Sequence, residues 1–166
     1  MGWLELFLIH IHQMTTFLSY KEALARATEL CVRSEKCSFD IVLKCRDWQL
    51  SREESNQLIA YLLQEKFIDH LRYGTSFAND KFRFNKWGKV KLAYALRQKQ
   101  IEEPFIREAL SRLPEVAYRK VLLDLLSAKA KSVKEKDAYA RRNKLLSFAM
   151  SHGFETEIAI DIIGSL

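Results

Sequence analysis

Glycine and proline are scarce in this chain, five and two among 166 residues. An all-β sandwich or barrel of many short strands needs more turn formers than that, so an all-α protein is expected. Cysteine is scarce as well. Cys31, Cys37 and Cys45 are an odd set confined to the first third, without the pairing scheme of a small secreted fold. They read as reduced structural thiols in a cytoplasmic protein, because free cysteine prefers buried positions. A metal site would need a fourth ligand, and none of His10, His12, His70 or His152 lies close to them in sequence.

Long apolar runs are missing too. The leading residues MGWLELFLIHIHQ hold a short apolar run but no basic leading region or small-residue cleavage site. Neither a signal peptide nor a membrane span, which takes roughly 20 apolar residues, is expected there or elsewhere. His10 and His12 have no further ligand nearby and read as incidental, and Met14 is an alternative start that would make the residues before it a loose extension. A glycine-rich phosphate loop, histidines at helical metal spacing, a serine elbow and a Cys-x-x-Cys pair are all lacking. An enzyme has nothing to stand on here. No catalytic residue, cofactor or metal is expected, and the scattered acids read as solvated helix surface.

What is present is a globular composition, 48% hydrophobic and 29% charged, with an excess of positive charge: 27 Lys plus Arg against 21 Asp plus Glu, net +6, pI near 9.2. A polyanionic partner therefore belongs on the list. The excess is concentrated. Residues 81–99 contain Lys81, Arg83, Lys86, Lys89, Lys91, Arg97 and Lys99 and no acid, a local +7. From Arg119 to Lys144 there are nine bases against Asp124, Glu135 and Asp137, a second run of net +6 that is either a solvated face or a second contact surface. Phe82, Phe84, Trp87 and Tyr94 interleave with the first cluster, which suits base stacking or a protein interface. Phe77, Phe82 and Phe84 are expected on the buried side of their helix, and Trp87 is expected to act as a packing wedge. Gly88 beside it permits either close helix approach or a positive φ.

An internal repeat organises the chain. With Leu50, Ile101 and Phe154 in register, the positions nine, eight and five residues before them are Ile41, Val42 and Cys45, then Leu92, Ala93 and Leu96, then Leu145, Leu146 and Ala149. The positions eight, nine and twelve residues after them are Leu58, Ile59 and Leu62, then Ala109, Leu110 and Leu113, then Ile162, Ile163 and Leu166. All are apolar. Such spacing describes two amphipathic helices flanking a turn that the anchor residue plugs. The anchors lie 51 and 53 residues apart, which leaves room for a third helix ahead of each pair.

The expected architecture is three tandem three-helix, helix-turn-helix-like repeats in an elongated, curved arrangement. An N-terminal extension covers 1–19, and the repeats cover 20–67, 68–113 and 114–166. First helices are expected over 20–34, 68–84 and 115–131, with further helical sequence to about 136 in the last. The pairs follow at 38–47 with 51–65, 88–99 with 102–112, and 138–152 with 155–164. Ser51 with Glu54 forms a capping box, Pro104 suits a first helical turn, and Gly153 suits a left-handed cap. Gln49 and Gln100 stand where Gly153 stands, and would each cost about 1 kcal/mol relative to glycine if the same geometry is used.

These features together resemble the RecX family of bacterial recombination regulators. The residues that carry the resemblance are Phe67-Ile68-Asp69, Arg72-Tyr73 and Phe77, Trp87-Gly88-Lys89 leading to Leu96 and Ile101, and Gly153-Phe154 ahead of Ile158. It runs from about Tyr20 to the C-terminus. The chain departs from the family pattern at His70, where a second acid is usual, at Gly74, where alanine is common, and at Gln100, where glycine is usual. The resemblance implies a non-enzymatic, cytoplasmic protein that lies in the groove of RecA nucleoprotein filaments. It would negatively modulate ATP hydrolysis, strand exchange and SOS induction.

The expected contact residues are Arg72, Lys81, Arg83, Lys86, Lys89, Lys91, Arg97 and Lys99, with Arg141, Arg142 and Lys144 as a second set. The expected partners are a RecA filament on DNA and, more weakly, single- or double-stranded DNA itself; no membrane is expected, and a monomer is the default. The alternatives are a free-standing helical DNA-binding protein and an adaptor for another protein.

Overall fold

The computed structural model describes residues 17–166, so the expectations about His10, His12 and Met14 lie outside the described residues. Among the described residues there are nine helices and no strand. In chain order they are α1 (Tyr20–Arg33), α2 (Ser38–Asp47), α3 (Arg52–Gln64), α4 (His70–Asn85), α5 (Lys89–Gln98), α6 (Glu103–Ser111), α7 (Glu115–Ser132), α8 (Ala138–Ser151) and α9 (Thr156–Gly164). They form the three expected helix triplets.

Local chemistry explains most of the boundaries. Ser19 with Glu22 and Ser51 with Glu54 close reciprocal capping boxes on α1 and α3, satisfying amides that no helical carbonyl reaches. Asp137 caps α8 through the Ala140 amide, 2.6 Å away, and Pro104 occupies the first turn of α6. One expectation fails at the end of α7. Helical sequence was expected to about residue 136, but the helix stops at Ser132, because Val133 turns extended (φ −80°, ψ 115°) and is buried in the core.

The turn inside each helix pair is the same device three times. Gln49, Gln100 and Gly153 all have positive φ, at 59°, 57° and 82°. The following residue then donates its amide to the carbonyl five positions back: Leu50 to Cys45 (3.0 Å), Ile101 to Leu96 (3.1 Å), Phe154 to Ala149 (3.1 Å). This is the Schellman arrangement, and its apolar closing residue is the repeat anchor. Ile101 and Phe154 are almost fully buried and Leu50 half so.

The chain divides into two compact units, one ending at Asp69 and the other running from His70 to Leu166. In the first, Ala23, Ala27 and Cys31 recur every four residues along α1, and their small side chains let Ile41, Cys45, Leu58 and Leu62 pack close. All three cysteines are buried; Cys37, just before α2, places its thiol 3.3 Å from Asp40. The second unit joins the second and third triplets around a continuous core that includes Phe82, Leu92, Leu113, Tyr118, Leu122, Leu145 and Phe154. Tyr118 is its hinge pin, with ring centroids 5.6 Å from Phe82 on one side and 5.0 Å from Phe154 on the other.

Candidate interaction surface

The corner where α4 meets α5 gathers five of the sequence-selected cations. Lys81 and Arg83 come from the last turns of α4, Lys86 from the connecting turn, and Lys89 and Lys91 from the first turn of α5. Lys86 holds φ at 57° and donates its ammonium to the Arg83 carbonyl at 2.7 Å. Trp87 is the wedge that the sequence led one to expect, since it is half-buried against the core. It also has a second role: the ammonium groups of Lys81 and Lys91 lie 5.5 and 4.8 Å from its ring, so one indole holds two like charges. The Arg83 guanidinium lies 5.6 Å from the ring of Phe84. Phe84 itself is 73% exposed, which corrects the expectation that it belongs to the core. The stripe of α4 that faces inward runs through Tyr73, Ala78 and Phe82 and leaves position 84 outside.

The corner is built on a backbone junction. Helix α5 starts at Gly88, whose amide donates to the His152 carbonyl at 2.8 Å, while the Val90 amide donates to the Gly153 carbonyl at 3.0 Å. The Lys89 amide donates to the Tyr118 hydroxyl at 2.8 Å, and that hydroxyl donates to the Glu155 carboxylate at 2.5 Å. Burial, and then the Glu155 carboxylate, push the Tyr118 phenol well above its ordinary value, so it stays a neutral donor. The α8–α9 turn thus supplies the acceptors that the open N-terminus of α5 requires. Gly88 has φ −80°, so close approach is what it permits and not a positive φ. A Cβ on Gly88 would overlap the Gly153 carbonyl, and one on Gly153 would overlap Lys91.

The remaining cations fall elsewhere. Lys89 is drawn to the Tyr118 ring (4.7 Å) and to Glu115 (3.3 Å). Arg97 sits at the far end of α5, about 12 Å along the helix from Lys89. There it pairs bidentately with Glu103, at 2.5 and 3.2 Å. Lys99 follows in the α5–α6 turn. Arg72 is two residues from His70, whose ring contacts Glu102 at 2.8 Å and Phe105 edge-on, so it belongs to that same end. The eight chosen cations of the second triplet therefore occupy two ends of it. In the third triplet Lys144 is paired with Glu135, the Arg141 guanidinium lies 3.4 Å from the Val133 carbonyl, and Arg141 and Arg142 line a shallow groove.

Sequence reasoning missed Val90 as part of this surface. It is 55% exposed, one turn from the exposed Tyr94 on the outer side of α5. The signal was there, since both positions lie off the inward stripe of Leu92 and Leu96. Among the described residues no helix is long and apolar enough to cross a membrane.

Comparison with known proteins bears on the fold and the descent of the chain. The sequence profile described as "RecX, second three-helix domain" matches residues 69–110, the triplet that carries the corner. Regulatory protein RecX of Clostridium beijerinckii is 30% identical over 149 residues, covering 89% of this chain and 68% of the relative. Regulatory protein RecX of Chlorobium phaeobacteroides is 30% identical over 136 residues, covering 82% and 87%. The crystal structure of RecX from Lactobacillus salivarius superimposes with a TM-score of 0.80 at 16% identity, covering 89% of this chain and 96% of that one. A second structure of regulatory protein RecX gives 0.79 at 19% identity, covering 89% and 72%. The two structures show the shared helical fold, and the sequence relatives show descent: the chain belongs to the RecX family of regulatory proteins.

Proposed function

We propose that this protein binds RecA nucleoprotein filaments and negatively modulates their ATP hydrolysis, strand exchange and induction of the SOS response. It acts in the cytoplasm as a monomeric binding protein without a catalytic step. The α4–α5 corner supports this reading most directly. Among the described residues no carboxylate pairs with Lys81, Arg83, Lys86 or Lys91, so their charge is available to an acidic filament surface or to DNA phosphates. The test is the single-stranded-DNA-dependent ATPase rate of RecA as the protein is titrated in, at about 150 mM salt with DNA in excess. A fall in rate well below one copy per RecA protomer supports the proposal; no change up to equimolar amounts overturns it.

A second reading is direct DNA binding, which the exposed Phe84 and Tyr94 beside these cations favour as stacking groups. Binding dominated by phosphates loses affinity by orders of magnitude between about 50 and 200 mM salt when six or more phosphates are contacted. Filament recognition with apolar and shape contributions holds up better over that range.

A further inference from the structure

The third triplet carries a groove that the α4–α5 corner does not involve. It opens where the end of α7, the start of α8 and the end of α9 meet, with a volume of about 330 Å³. Its floor is apolar: Ala130 and Ala138 lie beside the nearly buried Leu145, with Ile163 and Leu166 on the α9 side, and at Gly164 a Cβ would meet nothing within 4 Å. A larger side chain at Ala130 or Ala138 would narrow it. Its rim is Arg141 and Arg142.

The charge around the groove is one-sided. From Lys129 to Lys144 there are seven bases and two acids. Both acids are engaged, Glu135 with Lys144 and Asp137 with the Ala140 amide at the start of α8. Lys144, with Arg141 behind it, holds the Glu135 carboxyl below its usual range. Arg141 acts on Glu135 only through its field, its guanidinium lies 3.4 Å from the Val133 carbonyl, and neither rim arginine makes a direct ion pair among the described residues.

We propose that this groove docks an acidic peptide segment of a protein partner, seating an apolar side chain on Leu145 and placing carboxylates on Arg141 and Arg142. Ligand clefts run from about 300 to 1,000 Å³, so this one, at the lower end, holds one or two side chains rather than a whole small molecule. Guanidinium groups match carboxylates bidentately, and the apolar floor rewards a leucine-sized group in a way that a sugar-phosphate backbone cannot use. Carboxylate without the apolar group, or the reverse, meets only half of the site. The inference goes beyond filament regulation by the α4–α5 corner, since it gives Arg141 and Arg142, the second set of cations, a ligand of their own that combines carboxylates with an apolar side chain.

The test uses the full chain at physiological salt and a short fluorescein-labelled peptide of aspartates and glutamates around two leucines, followed by anisotropy. Saturable binding is expected. It should weaken at least about tenfold, or roughly 1.4 kcal/mol, in the double variant Arg141→Gln with Arg142→Gln. Serine in place of the leucines should weaken it as much. Ala138→Trp plugs the groove from an exposed position on the first turn of α8, and should abolish peptide binding while leaving the melting curve and the binding of a single-stranded oligonucleotide unchanged. No saturable binding overturns the proposal. So does equal binding of the serine peptide, or an oligonucleotide that competes with the peptide and is lost in the plugged variant, because either would make the site a general polyanion surface.

Discussion

Gln49 and Gln100 hold the backbone conformation that glycine holds at Gly153, and each bears the steric cost of a Cβ there. Replacing either with glycine should raise stability, by up to about 0.5 kcal/mol once the greater freedom of glycine in the unfolded chain is counted. Urea denaturation midpoints check it; unchanged or lower midpoints would show that the Gln side chains contribute contacts worth as much as the strain. Gly88 makes the opposite case. A methyl group there meets backbone, not a side chain that can swing aside, so Gly88→Ala should cost about 3 kcal/mol. Tyr118→Phe removes one hydroxyl but strands the Lys89 amide and the Glu155 carboxylate together, and should cost about 1–3 kcal/mol, read in the same denaturation experiment. Of these features the sequence shows only part. Gly153 and the glutamines are legible because the repeat aligns them, whereas the contact of Gly88 with Gly153 joins residues 65 apart and leaves no local trace.

The helices themselves are largely legible, because apolar spacing and capping residues act locally. The expected span of α2 agrees with the structure, and those of α3, α5 and α6 fall within one residue at each end. The miss at α7 is instructive: residues 133–136 have helix-compatible composition, but the core takes Val133 as an extended residue, a tertiary preference that outweighs propensity. Phe84 fails for a related reason, since an aromatic next to an inward stripe looks buried until the stripe is placed. At this scale pH has a defined effect. The Ser51 amide and hydroxyl hold the Glu54 carboxyl below its usual range, so the charged form is favoured in the folded helix. That contribution is full above the ordinary carboxylate value and is lost as pH falls through the lowered one. Glu54→Gln should therefore lower stability near neutrality and flatten the acid limb, the two curves converging as pH falls below about 4.5. Parallel acid limbs for the two proteins would show that the capping box does not persist in solution.

At the scale of the whole molecule, charge is what the sequence located and pairing is what it could not. The run from Lys81 to Lys99 is visible as +7, yet Lys89 finds Glu115 across 26 residues and Arg97 finds Glu103 across the anchor turn. The structure thereby separates the acid-free part of the run from the part that is already paired, and this separation makes filament binding testable by parts. Lys86→Gln with Lys91→Gln removes two cations without a carboxylate partner, one of them the ammonium that lies over Trp87. Arg97→Gln removes a cation whose charge Glu103 already offsets. If the corner meets the filament, the double variant should need at least about tenfold more protein for the same inhibition of RecA ATPase, equivalent to roughly 1.4 kcal/mol, while Arg97→Gln shifts the titration by less than about twofold. Equal shifts in the two would mean that net charge, not the corner, directs binding; a large shift in Arg97→Gln alone would move the contact to the α5–α6 end, where Arg72 and Lys99 lie.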